Sequence, residues 1–152
     1  MDNLLQGLQE TLNQEIPITQ HLGIIVESYD NKCLILKAPL AQNINHKGTA
    51  FAGSLNALVT LAGWGQIWLL LKELGIPGKI VIQDSSSNYL LPVQRDFLAI
   101  CHKPDTHYIA KMEAMLQKRG KARIELNAEI YNDKAIAVAF KGRYVIDLDD
   151  EH

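Results

Sequence analysis

From Gly48 to Leu71 the chain carries no charged side chain. A stretch of that length is enough to cross a bilayer, which needs about 20 apolar residues. It also contains Ser54, Asn56, Thr60 and Gln66, together with Gly53, Gly63 and Gly65. Polar groups at mid-span are costly in lipid, whereas a helix buried on all sides of a globular fold tolerates the same pattern. The stretch therefore predicts no membrane span but a central helix over about residues 53–74, closed by Gly75 and Pro77. A helix that is apolar all round has to be wrapped, and one curved antiparallel sheet is the economical wrapper.

The flanking sequence supplies such a sheet. Two apolar runs at residues 22–29 and 32–38 are joined by Asp30-Asn31, residues that tolerate a tight hairpin turn. A long strand is predicted over 79–91, ended by Pro92, and another over 96–103. Residues 121–131 alternate strictly: Ala122, Ile124, Leu126, Ala128 and Ile130 face one way and charged or polar residues the other. Asn132-Asp133 makes the next turn, and 134–146 return with Ile136, Val138 and Phe140 in phase. Short amphipathic helices are expected at about residues 2–14, ended by Pro17, and at about 105–119, with Asp105 or Thr106 as N-cap and Gly120 as stop. The sum is an α+β chain of about six strands around one helix, in a single domain spanning 1–152 with no repeat or linker.

Composition removes several function classes. A formal charge of −2 gives no electrostatic reason for a nucleic-acid partner. The patch Lys118, Arg119, Lys121 and Arg123 reads as a solvated helix end followed by the outer face of a strand. Cys33 and Cys101 lie in apolar runs without disulfide or zinc spacing, and are read as buried, reduced thiols in a cytoplasmic protein. Met1-Asp2-Asn3 lacks the basic region of a secretory signal. No pair of histidines or acids has metal-ligand spacing, so no metal or cofactor is expected.

Two motifs carry a family resemblance. Asn45-His46-Lys47-Gly48-Thr49-Ala50-Phe51-Ala52-Gly53-Ser54-Leu55, leading into the central helix, resembles the Asn/His/Gly-rich approach of acyl-CoA thioesterases. Ser87-Asn88-Tyr89-Leu90-Leu91-Pro92-Val93 is similar to a Tyr-Leu-Arg-Pro-Val strand end common in the same superfamily. With the order of elements, they make the chain resemble hotdog-fold acyl thioesterases over nearly its whole length. The nearest resemblance is to the thioesterase-like domain that some bacteria fuse behind a GNAT-type acetyltransferase, here read as standing alone. The resemblance implies hydrolysis of acyl-coenzyme A or acyl-carrier-protein thioesters. It also implies a homodimer or homotetramer, because hotdog sites form between subunits.

Thioester hydrolysis needs a group to polarise the carbonyl and a group to place or activate water. Free backbone N–H groups near Ala52 and Gly53, at the positive end of the helix dipole, suit the first task. Phe51, Ala52, Gly53 and Ser54 are therefore read as substrate-binding, against a reading in which Ala52 and Gly53 are small for packing. Laying Phe51-Ala52-Gly53 over the family's His-Gly-Gly puts Thr60 where many relatives carry an acid. Threonine can hold a water but is no general base near neutral pH. His46 is a candidate acid/base, or simply an exposed loop residue. Asn45 either orients a water or caps its turn. Asp84 stands mid-strand in the polar run from Gln83 to Asn88, and either faces water or lines a site against a partner subunit. Ser85 and Ser86 join it as candidate groove residues. Trp64 and Trp68 are core packing or the wall of an acyl pocket. Two rival functions stay open: a non-catalytic acyl-thioester binding or assembly module, favoured by the missing helix acid, and a hotdog dehydratase with His46 as base.

Overall fold

The computed structural model describes residues 2–148. Positions 1 and 149–152, the extreme ends of the expected 1–152 domain and the first residue of the Met1-Asp2-Asn3 reading, lie outside the described residues. Two N-terminal helices, α1 (Asp2–Glu15) and α2 (Ile18–His21), precede the hairpin β1 (Ile25–Tyr29) and β2 (Cys33–Ala38). A loop with a short 3-10 turn (Ala41–Asn43) leads to α3 (Ala52–Leu74). Then follow β3 (Lys79–Tyr89), β4 (Phe97–His102), α4 (Thr106–Arg119), β5 (Lys121–Asn132) and β6 (Ala135–Asp147). The six strands form one antiparallel sheet in the order β1-β2-β4-β5-β6-β3. This is the hotdog arrangement, with α3 as the wrapped helix.

Among the described residues, α3 is the one helix long and apolar enough to cross a membrane, and 72% of its apolar window is buried inside the fold. Leu58, Val59, Ala62, Ile67 and Leu69 are fully buried. Two glycines let neighbours approach the helix. A Cβ on Gly63 would lie 2.1 Å from the Tyr144 hydroxyl, and one on Gly65 would lie 2.9 Å from a Leu34 methyl and 3.3 Å from Leu8. Through the first notch Tyr144 donates a 2.6 Å hydrogen bond to the Thr60 carbonyl, tying β6 to the helix. Burial pushes the Tyr144 hydroxyl well above its ordinary pKa. The buried Gln66 amide donates to the Cys101 carbonyl at 2.9 Å, tying α3 to β4. Gly75 ends α3 with φ of 70°, its N–H reaching Lys72 while Ile76 N–H reaches Leu71, a left-handed cap that only glycine enters without cost.

The two turns form as expected. Asn31 and Asp133 take positive φ of 73° and 57°. The Asp30 carboxylate accepts the N–H groups of Cys33 and Lys32, and these bonds hold its pKa below the ordinary carboxylate value. In β5 the alternation is realised in full, with Ala122, Ile124, Leu126, Ala128 and Ile130 all buried.

Three expectations need correction. Pro17 does not merely end α1. With φ of −58° it opens the further short helix α2. Ile136 is exposed, because an irregularity at Ile130/Tyr131 shifts the β5–β6 register and brings Ala137 and Val138 into the core together. Cys33 is only half-buried, on the outer face of the sheet, although Cys101 is in the core and both thiols are free.

The edges differ. At β1, the Gln9 side chain accepts from Val26 N–H at 2.7 Å and donates to the Ile24 carbonyl at 3.1 Å, so α1 covers that edge. At the other edge stands β3, eleven residues long and exposed almost throughout.

The Gly63 notch generates a test. Gly63→Ala should destabilise the fold by about 2 kcal/mol through overpacking against Tyr144, and Tyr144→Phe by about 1 kcal/mol through the lost hydrogen bond. In urea unfolding the double variant should cost less than the sum, because removing the hydroxyl relieves the clash. Strict additivity would mean that the two groups do not meet.

Candidate active site

The loop before α3 is held by its asparagines. Asn43 is buried, and its amide donates to the carbonyls of Pro39 at 2.7 Å and Leu22 at 2.9 Å. The Asn43 carbonyl accepts from Phe51 N–H at 2.7 Å, fixing the chain just ahead of the helix. Asn45 closes the turn around Gly48, whose φ is 81°. Its Oδ1 accepts the N–H groups of Lys47 (2.9 Å) and Thr49 (3.1 Å), and its Nδ2 donates to the Thr49 hydroxyl at 2.9 Å. Both ends of the Asn45 amide are thus engaged in building the turn.

Phe51 precedes the helix in extended conformation (φ −66°, ψ 133°), and no side chain caps the first turn. The N–H groups of Ser54 and Leu55 reach back to the Phe51 carbonyl at 3.0 and 3.1 Å. Those of Ala52 and Gly53 have no hydrogen-bond partner among the described residues, and both residues are exposed. The Phe51 ring folds over Gly53, where any Cβ would lie 2.4 Å from a ring carbon. Two unpaired donors at the positive end of a long helix are what a developing oxyanion requires. Ser54 is buried, so this turn presents backbone rather than a hydroxyl.

One and two turns along the same helix face stand Asn56 and Thr60, both half-buried. One turn further, Trp64 donates its indole N–H to the Ile80 carbonyl of β3 at 3.0 Å, which orients this face toward β3. Ser87 of β3 donates to the Asn56 carbonyl oxygen at 2.7 Å. The Asn56 NH₂ is left without a partner among the described residues, available as a third donor. The result is a polar ledge between α3 and β3 that holds Ala52 N–H, Gly53 N–H, Asn56, Ser87 and Thr60.

The other candidates lie apart from this ledge or at its margin. Ser85 opposes Gly142 on the inner face of the sheet, the face of Ser87, which opposes the buried Phe140. Ser86 opposes the exposed Lys141 on the outer face. Asp84 also faces outward, because a bulge at Gln83 resets the register so that it opposes Arg143, with which it forms an exposed ion pair at 3.4 Å. It therefore points to the side of the sheet away from α3. His46 is exposed and makes no hydrogen bond among the described residues. Trp68 packs on Gly7 and carries the Lys72 ammonium 5.1 Å above its ring. In the sequence Asn56 stands only as a polar interruption of an apolar helix. Its place one turn before Thr60 was the available signal.

Among the described residues, no group of three or more His, Cys, Asp or Glu side chains is placed to hold a metal ion. A wide groove of about 1250 Å³ lies elsewhere, between α4 and the sheet, with Tyr108, Met115, Arg119, Arg123 and Val145 in its walls. None of the ledge residues lines it.

The fold is shared with known proteins. The chain superposes on the protein OLEI01261 of unknown function from Chlorobaculum tepidum TLS with a TM-score of 0.93, at 38% identity over 96% of this chain and 95% of that one. It superposes on a protein from Shewanella oneidensis described as a "putative thioesterase" with a TM-score of 0.86, at 36% identity over 95% and 98% of the two chains. The thioesterase HI1161 from Haemophilus influenzae shares the fold at 20% identity, with a TM-score of 0.69 over 94% of each chain. The family YiiD_C, described as "Putative thioesterase (yiiD_Cterm)", matches residues 5–148, and the chain belongs to that family.

Proposed function

We propose that the protein hydrolyses acyl thioesters carried on coenzyme A or on a carrier protein, at the ledge where α3 begins. The observation that supports this reading is the pair of N–H groups on Ala52 and Gly53, with the Asn56 amide one turn on, all without a partner among the described residues. The thioester oxygen sits against these donors, and they stabilise the negative charge that grows on it as water attacks. Thr60 and Ser87 hydroxyls place the water. The ledge itself contributes no carboxylate or imidazole, and we assign proton removal to His46, whose ring is exposed and unbonded in the loop before α3. No metal or cofactor takes part in this scheme, and the thioester carrier is substrate.

We further propose that two copies join along β3, and that the work is done in the cytoplasm, where free Cys33 and Cys101 stay reduced. The open β3 edge supports a dimer, as do the exposed Phe51, Tyr89, Leu90 and Leu91 beside it. A second copy there would roof the ledge and exclude bulk water. A non-catalytic thioester-binding module is favoured by one observation, the absence of an acid on the α3 face at Thr60.

Ala52→Pro isolates the central claim. Proline is accepted at the first helical position, and the extended Phe51 suits a following proline, so the variant deletes one N–H and leaves the helix intact. Release of free thiol from octanoyl-CoA should fall about a hundredfold in kcat, with the melting temperature unchanged. Asn56→Ala should lose about tenfold or more. Binding of octanoyl-CoA without turnover in the wild type would establish the binding module instead.

For the dimer, Leu90→Lys should convert a dimer into a monomer in light scattering after gel filtration. A monomeric wild type would refute the β3 pairing.

A further inference from the structure

The outer face of the sheet holds a second constellation, remote in chemistry from the ledge. Cys33 of β2 lies directly opposite His102 of β4, and Ile100 of β4 opposite Glu129 of β5. Cross-strand partners share a face, so Cys33, His102 and Glu129 stand in a row over three strands. The Cys33 sulfur is 3.6 Å from His102 Nδ1, and His102 Nε2 is 2.6 Å from Glu129 Oε1. A carboxylate only accepts, so Nε2 carries a proton, and in the neutral ring this leaves the Nδ1 lone pair toward the thiol. Cys33, expected in the core, stands half-buried on the outer face instead, beside an exposed His102.

The local structure keeps this row in register. Asp30 Oδ1 accepts the Cys33 N–H at 2.8 Å, and Lys103 N–H donates to the Lys32 carbonyl at 2.7 Å, locking the turn before Cys33 to the end of β4. Glu129 is the shielded member, 17% exposed against 49% for the His102 side chain, so the imidazole is oriented from beneath and open from above. The charged and titratable groups facing the thiol are Asp30 and Lys32 from the turn, His102 from β4 and Glu129 from β5. Partial burial pushes the Cys33 thiol up, and the Asp30 and Glu129 carboxylates add to this. It therefore rests as a neutral thiol and depends on a base at the moment of attack.

Beside the thiol runs an apolar rail on the same face. Ile35 and Ile100 oppose each other two pairs along from Cys33 and His102, and Leu98 follows opposite Lys37, itself paired with Ile25. Leu98 is 39% exposed and Ile25 55%, so the rail is open to an aliphatic chain.

We propose that Cys33, His102 and Glu129 form a second reactive site, in which Cys33 accepts an acyl group from an acyl thioester while the chain lies along Ile35, Ile100 and Leu98. The Cys33 sulfur attacks the thioester carbonyl carbon, forming a new carbon–sulfur bond as the bond to the carrier sulfur breaks. His102 Nδ1 takes the thiol proton and returns it to the departing thiolate, while Glu129 stabilises the imidazolium. One thioester is exchanged for another, with no net oxidation or reduction. The site shares the substrate class proposed above but none of that site's donors, so the two are separable by mutation.

The test uses the full chain with octanoyl-CoA, read by intact mass and peptide mapping. One octanoyl group should appear on Cys33 and be absent from Cys33→Ser, with the buried Cys101 unmodified. His102→Ala should slow acylation at least about tenfold, and Glu129→Gln should slow it by less. The wild-type rate should rise with pH through an inflection lower than that of His102→Ala, where the thiol must ionise unaided. Ala52→Pro should still be acylated and Cys33→Ser should still hydrolyse, which separates this site from the ledge. A Cys33 that iodoacetamide alkylates but octanoyl-CoA does not acylate overturns the acyl-acceptor assignment. Equal rates and equal pH profiles in wild type and His102→Ala overturn the activation by histidine.

Discussion

Everything in this molecule is arranged around the need to cover α3 on all sides. A helix with no charged side chain before Lys72 cannot rest on a surface, so the sheet has to curl round it and α1 has to close the remaining side. The hydrophobic gain scales with area removed from water, roughly 25 cal/mol per Å², and is collected only if the wrapping elements come close. Gly63 and Gly65 permit that approach, the first admitting Tyr144 and the second Leu34 and Leu8. The same constraint leaves the first turn of α3 open, where the Ala52 and Gly53 N–H groups have no partner among the described residues.

Most of the fold was legible in the sequence because it is written in periodicity. The strict alternation from Lys121 to Tyr131, the turns at Asn31 and Asp133, and the stop at Gly75 each follow from local rules. What was not legible depends on register. Gln83 and the Ile130/Tyr131 irregularity each add a residue to one strand, and a shift by one reverses the face that a side chain occupies. That is why Ile136 is outside and why Asp84 points away from α3. Neither position carries a local mark of the bulge.

The site divides the same way. The first turn of α3 could be read from small residues after an Asn/His/Gly-rich loop, and the structure gives it open donors. Asn45 is taken up in its own turn, as Asn side chains often are. The pairing of Asn56 with Ser87 is not legible in the sequence because it is long-range, a helix residue meeting a strand residue across the fold. The alignment of Cys33, His102 and Glu129 is long-range in the same sense, since three strands distant in sequence bring it together. Family membership states the class of chemistry. On the proposed reading, the departure at Thr60 leaves electrostatic stabilisation to backbone donors without a helix carboxylate.

The most direct measurement is a crystal structure with an acyl-CoA analogue in which a methylene replaces the thioester sulfur. The analogue keeps the carbonyl and cannot be hydrolysed. The account predicts its oxygen within hydrogen-bond distance of the Ala52 and Gly53 N–H groups, with the Asn56 amide alongside. A carbonyl lodged elsewhere, in the groove under α4 or on the outer face of the sheet, with the first turn of α3 left bare, would contradict it.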